Sequence, residues 1–255
     1  MTALLGAAVA ARAAHLRIPS RARELVVVSS PTPDPPGSQS IATLRAYARA
    51  PHSTRWRLIF GPWASETGSG HLVPAARRRE GDRATPTGVF SFGHTIYGAA
   101  ADPGGLHYPY HRLVCGDWWD EDPYSPLYNR FTHVPCGVAP GFGGDSEALW
   151  TETHAYRYLA VIDFNIGPTR GGAGATGSGL FLHSWLSAAT AGCVALPVER
   201  LLAVLRWLRP AEHPVIEIGT DAELAMRPRD FESGHEPRDA ATGRRAGRGR
   251  ARRRP

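Results

Sequence analysis

With 255 residues, 42% of them apolar and 20% charged, the chain is long enough to bury one sizeable core and has the make-up of a globular domain, not a disordered or fibrous one. A formal net charge of +6 suggests a nucleic-acid ligand, but residues 226–255 hold ten Arg against Asp230, Glu232, Glu236 and Asp239, so the surplus lies in the tail and no specific nucleic-acid partner is implied. The 28 Gly and 22 Pro favour strands joined by turns over a helical bundle, and no apolar run reaches the roughly 18 residues of a membrane helix.

The chain opens on an apolar, Ala-rich stretch, Met1 to His15, that reads as the back half of a signal peptide without the usual basic start. We assign residues 1–23 to this N-terminal segment. The β-branched run Glu24-Leu-Val-Val-Val-Ser predicts a first strand, and Pro31 to Ser40 a loop. Alternation in Ile41–Tyr47 and the run Arg55–Phe60 predict two more strands, with Pro51-His-Ser turning the chain between them into a meander. Thr87–Phe92 is a fourth strand. From Gly98 to Thr153 periodicity is weak and Gly, Pro and aromatic residues dominate, Trp118 and Trp119 among them; a stretch this long inside a domain is more often functional than idle.

Arg157–Phe164 predicts a buried strand. Gly167 to Gly179 is a Gly-rich connection with no phosphate-binding pattern. Gly179-Leu-Phe-Leu-His183 is strand-like and delivers a histidine. A loop of small residues ends in Gly192-Cys193, and a helix is expected to follow. Pro197 suits its first turn, Val198, Leu201, Leu202, Leu205 and Leu208 form its apolar face, and Pro210 lies beyond its end. Pro214–Gly219 closes with a strand. We expect one mainly β domain of sandwich or barrel-like form over residues 24–220, with a flanking helix after Cys193. Residues 221–255 read as a disordered Arg-rich tail, the segment able to rest on anionic polymers.

Cys115, Cys136 and Cys193 leave one thiol over after any pairing. If Cys193 is free, Cys115–Cys136 is the one possible disulfide, and spacing does not decide whether it forms. No C-x-x-C or H-E-x-x-H occurs, so no metal and no cofactor is called for. Cys193 draws attention because a thiolate is a strong nucleophile wherever a base or a positive field attends it. His183 lies ten positions upstream (193 − 183) and reaches back if the chain turns. The small residues before the Cys leave the N–H groups of Ala191, Gly192 and Cys193 as candidate oxyanion donors. The plainer alternative is a buried structural Cys and a strand-end His.

The segment Thr190-Ala-Gly-Cys193-Val resembles the active-site motif of the L,D-transpeptidase catalytic domain (YkuD-type) family, a His followed by Ser/Thr-His-Gly-Cys-Val/Ile. Thr190, Gly192, Cys193 and Val194 match, Ala191 stands where the family usually has a second His, and Ala195 where Arg or Asn often follows. Glu80-Gly-Asp-Arg-Ala-Thr85-Pro-Thr-Gly-Val-Phe90, about a hundred residues upstream, is similar to the family's Glu-Gly-Asp-x-x-Thr-Pro-x-Gly-x-Phe element. The likeness spans residues 25–219 and is nearest an actinobacterial-like subgroup with short loops.

The resemblance implies Cys193 as nucleophile and His183 as base, with Ser184, Thr190, Ala191 and Gly192 in support. It implies peptidoglycan stem peptides as partners and a 3→3 cross-link made through a thioester. It also implies an extracytoplasmic location, with the Arg-rich tail free to hold anionic cell-wall polymers. Trp118 and Trp119 are expected either to line an acceptor groove or to plug the sheet. A Cys–His hydrolase trimming stem peptides and a non-catalytic envelope-binding module are the competing readings.

Overall fold

The computed structural model describes residues 17–31, 40–167, 171–172, 174–184, 189–225 and 231–232. The start of the N-terminal segment and most of the Arg-rich tail lie outside the described residues. β1 (Glu24–Ser30), β2 (Ile41–Ala48) and β3 (Trp56–Glu66) form the expected antiparallel meander. β4 (Leu72–Pro74) precedes the long β5 (Thr85–Gly98), and β6 (Tyr110–Arg112), β7 (Asp117–Asp120), β8 (Arg130–His133) and β9 (Glu147–Ala148) follow. β10 (Leu159–Ile162), β11 (Phe181–Ser184) and β12 (Val194–Leu196) lead into helix α1 (Val198–Trp207), then β13 (Val215–Thr220), α2 (Asp221–Ala225) and β14 (Phe231–Glu232).

The main sheet runs β10-β11-β12-β3-β2-β1-β13-β5 and closes because β5 also pairs with β10. β5 is long enough to do both: Gly88–Ser91 pair with β13, while Phe92, Ile96 and Tyr97 pair with β10. Closure leaves few open edges and gives the barrel-like form expected. Two junctions, β1–β13 and β11–β12, are parallel and join strands remote in sequence or separated by a loop.

Strand alternation sorts the side chains. Val26, Val28, Leu44, Leu182, Val194, Leu196, Ile216 and Ile218 point into the main core, which α1 seals with Leu201, Val204 and Leu205. Leu25, Val27 and Val215 face the opposite way, onto Trp56 and Leu224. Residues flanking 24–220 join that packing: Ala22 is fully buried, Leu224 of α2 is 2% exposed, and β14 pairs with β3.

The weakly periodic stretch is a satellite of three short strands, β8-β7-β9, stapled by a Cys115–Cys136 disulfide of Cα–Cα 5.2 Å. Buried Asp117 anchors it, taking His111 Nε2 at 2.8 Å on one oxygen and His133 Nδ1 at 2.7 Å on the other. This layer covers β10 and β11 from outside, enclosing Trp119, Leu149, Leu159, Val161, Phe181 and Cys193. The short strands escape sequence reading because each is too brief for a period to register.

Glu24, at the head of β1, accepts the Arg209 backbone N–H at 2.7 Å and faces the Arg209 guanidinium at 3.6 Å. Burial nevertheless pushes its carboxyl up to about 7. A raised carboxyl stabilises the fold fully below the unfolded value, near 4.5, and its contribution is lost as pH rises through 7. Burial raises the Glu121 carboxyl in the same sense, and its contribution is likewise lost as pH rises. Melting temperature is expected to fall between pH 5 and 8, and Glu24→Gln to flatten the part of that fall below pH 7; equal slopes for the two proteins would refute the assignment.

Candidate active site

Cys193 ends its loop directly before β12, and β12 runs parallel to β11 with Leu182 opposite Val194 and His183 opposite Ala195. Leu182 and Val194 enter the main core, so Phe181, His183 and Cys193 share the outer face of the wall. Both candidate side chains line one cleft of about 460 Å³ between this wall and the satellite sheet. Cys193 is 7% exposed and His183 5%.

The Cys193 thiol donates to the Gly179 carbonyl at 3.1 Å, and its sulfur accepts the Phe181 N–H at 3.3 Å. His183 Nδ1 lies 2.8 Å from the Ser184 carbonyl, which can only accept, so this nitrogen carries the ring proton. Tyr156 meets the ring edge-on at 5.6 Å. Burial pulls the imidazole down to about 4, with the Ser184 and Ala155 carbonyls partly opposing. Burial pushes the thiol up, and Glu147 and Glu121 add to this while Arg78 opposes it. The resting pair is thus neutral thiol and neutral imidazole.

Strand β12 separates Cys193 from helix α1, and Pro197 holds the N-cap of α1. A helix-terminal field fades within a turn, so none is assigned to the sulfur.

The loop carrying Cys193 is held by residues from the upstream Glu-Gly-Asp-x-x-Thr-Pro element. Thr85 Oγ1 donates to the Gly192 carbonyl at 2.7 Å and accepts the Gly68 N–H at 2.7 Å. The Asp82 carboxylate accepts the backbone N–H groups of Arg79 and Ala84 at 2.7 and 2.9 Å and pairs with the Arg78 guanidinium. The two motifs go together because one is the clamp on the other. Thr85 is fully buried, and Thr85→Val keeps its shape while leaving both partners unpaired. We expect a stability loss of about 2–3 kcal/mol, read by denaturant unfolding; a variant as stable as the parent would show that the clamp carries no weight.

Within the loop, Thr190 Oγ1 donates to the Cys193 carbonyl at 2.7 Å and accepts the Gly192 N–H at 3.2 Å. Thr190 therefore shapes the turn, and the Gly192 N–H is already spent, so the expected donor set reduces to the N–H groups of Ala191 and Cys193. Ser184 supplies its carbonyl to His183, while its hydroxyl is buried without a hydrogen-bond partner among the described residues. Neither tryptophan lines the cleft. Trp119 is buried and packs on Phe181 at 5.0 Å, the plug of the two expectations, and Trp118 points the other way onto Trp150 and Phe142. The strand period of two puts the adjacent rings on opposite faces.

Sequence reading missed the cleft's charged walls. Glu121, Asp145, Glu147 and Glu152 come from the satellite sheet and its flanks, and Arg78, Glu80 and Arg83 from the upstream motif. Glu147 accepts the Tyr156 hydroxyl, and Glu80 accepts those of Tyr128 and Ser178. Glu80 and Arg83 belong to the motif and Arg78 adjoins it; the four acidic residues of the satellite sheet and its flanks lack a pattern. Among the described residues no cluster of His, Cys, Asp and Glu is arranged to hold a metal.

A closed, mainly β domain with a Cys–His pair on its outer wall defines the class: a cysteine-site domain. The family model for the L,D-transpeptidase catalytic domain (YkuD) matches residues 43–218, and the chain belongs to that family. It is an enzyme of the transpeptidase-like type that acts on peptidoglycan in cell-wall metabolism. No curated protein and no solved structure matches the chain.

Proposed function

We propose that the chain is a peptidoglycan L,D-transpeptidase that forms 3→3 cross-links by acyl transfer through a Cys193 thioester. The observation that carries the reading is the placement of His183 on β11 and of Cys193 directly before the neighbouring β12, both lining one cleft, with Nδ1 of the imidazole held by the Ser184 carbonyl. Cys193 Sγ attacks the carbonyl that follows the third residue of a tetrapeptide stem, and His183 takes the thiol proton as the S–C bond forms. With both groups neutral at rest, proton transfer accompanies attack. The Ala191 and Cys193 N–H groups are the remaining donors for the oxyanion. Collapse breaks the C–N bond, and D-Ala leaves with the proton from His183. The side-chain amine of a second stem then attacks the thioester, gives its proton to His183, and releases the thiol as the new amide forms.

The Cys115–Cys136 disulfide supports an extracytoplasmic location, since such bonds persist in oxidising compartments. The Arg-rich tail is proposed to hold the enzyme to anionic wall polymers, an attraction that salt above physiological strength weakens. Purified protein incubated with tetrapeptide stems, with products read by mass spectrometry, tests the reading. A cross-linked dimer supports transfer. Tripeptide alone would favour the hydrolase, for which the exposed Ala191 at the cleft rim leaves room for water. No product from active-site-intact protein would remove the enzymatic reading.

A further inference from the structure

Arg78 is 3% exposed yet lines the cleft beside Cys193 and His183. Its Nη1 is bound by the Asp82 carboxylate and the Arg79 carbonyl, while its Nε is buried with no hydrogen-bond partner among the described residues. The guanidinium occupies a slot that exists because two residues are glycine. A Cβ at Gly177 would stand 3.0 Å from the Arg78 Cζ, and one at Gly192 would stand 2.9 Å from Nη2. The second of these glycines is the residue before the nucleophile. A charge buried this deeply is costly unless something uses it; Asp82 binds one end of the fork, and the other end lies beside Gly192, where it also acts on the Glu121 carboxyl.

The groups facing Cys193 are Glu121 and Glu147 from the satellite sheet, Tyr156 from the turn before β10, His183 from β11, and Arg78. Glu80, Asp145, Glu152 and the exposed Arg83 stand further round the cleft. Glu121 and Glu147 disfavour a thiolate, Ala191 carries no charge, and the buried imidazole is neutral at rest. The buried cation in this set is Arg78, and a guanidinium keeps its charge at every working pH.

We propose that Arg78 is a positioning residue of the acyl-transfer site: held by Asp82 in the slot between Gly177 and Gly192, it supplies the fixed positive charge that favours the Cys193 thiolate. The inference rests on Cys193 being the nucleophile of the proposed reaction. It explains why the upstream motif carries an Asp at 82, which aims the guanidinium as well as closing the turn.

Among the described residues Cys193 is the free cysteine, the other two being joined, so alkylation by iodoacetamide reads a single site. The test is the rate of alkylation from pH 6 to 10 in the full chain, its Arg78→Lys variant, and two neutral variants, Arg78→Gln and Arg78→Met, with unfolding curves for each. The neutral variants are expected to react about tenfold more slowly at pH 7, with the profile displaced upward by about one pH unit, and Lys to restore most of the rate. A folded neutral variant with the parent's profile overturns the proposal. So does failure of both neutral variants to fold, which would make Arg78 a residue of the fold and not of the thiol. The readout needs no peptidoglycan, so a parent protein that alkylates normally but transfers no acyl group would defeat the proposed function and leave the role of Arg78 to be judged separately.

Discussion

Replacing Cys193 with alanine is expected to lower stem-peptide turnover by about ten-thousandfold or more while leaving the protein folded. The rate loss follows from removing the atom that forms the thioester, for which no neighbouring group in the cleft substitutes. The stability cost is small by comparison. The thiol's donation to Gly179 and its acceptance from Phe181 both vanish, and the unpaired Phe181 N–H costs about 1–2 kcal/mol in a buried setting. Turnover and melting temperature measured on the same preparation check both halves, and residual turnover within a hundredfold of the parent would exclude Cys193 as nucleophile. In the parent, the acid limb of acylation is expected near pH 4, because His183 must be unprotonated to accept the thiol proton and burial holds it at about 4. Acylation by a β-lactam, a strained acyl donor, followed by mass spectrometry across pH, reads that limb directly; a limb near 6.5 would mean the imidazole is more solvated than its burial implies.

The second large effect is expected from Gly192→Ala. Gly192 has φ +134°, a region that side chains with a Cβ rarely enter, and the added carbon would lie 2.9 Å from Arg78 Nη2 and 3.0 Å from the Ala84 carbonyl oxygen. Backbone strain alone costs about 1–3 kcal/mol. Relief would come by moving the Cys193 backbone, and a displacement near 1 Å at a reacting atom costs about a hundredfold in rate. Gly81→Ala is the control, since Gly81 also has a positive φ, +74°, but a Cβ there meets nothing within 4 Å. It is expected to lose stability with little change in turnover. Kinetics and denaturant unfolding of the two variants separate strain from displacement, and equal rates in both would show that the turn before Cys193 tolerates a side chain.

The two motifs stand in the sequence as residue types at short spacing, so the family was legible there, and with it the candidate residues Cys193 and His183 and the loop between them. So were β1 to β3, α1 and β13, where a β-branched run or a leucine repeat is long enough to show its period. The barrel's closure was not, because the pairing of β5 with β10 and the parallel junctions β1–β13 and β11–β12 join segments whose own composition names no partner. Disulfide formation was left open by three cysteines and decided by the satellite sheet that brings Cys115 to Cys136. The same layer turned Trp119 into a core plug and raised carboxyl groups over the thiol, neither of which follows from residue type. What the sequence by itself determined was which atoms can do chemistry and in what order they occur along the chain. The tertiary structure decided their charge states and their spare hydrogen-bonding capacity, because desolvation and the Thr85, Thr190 and Arg78 contacts depend on which surfaces close over one another.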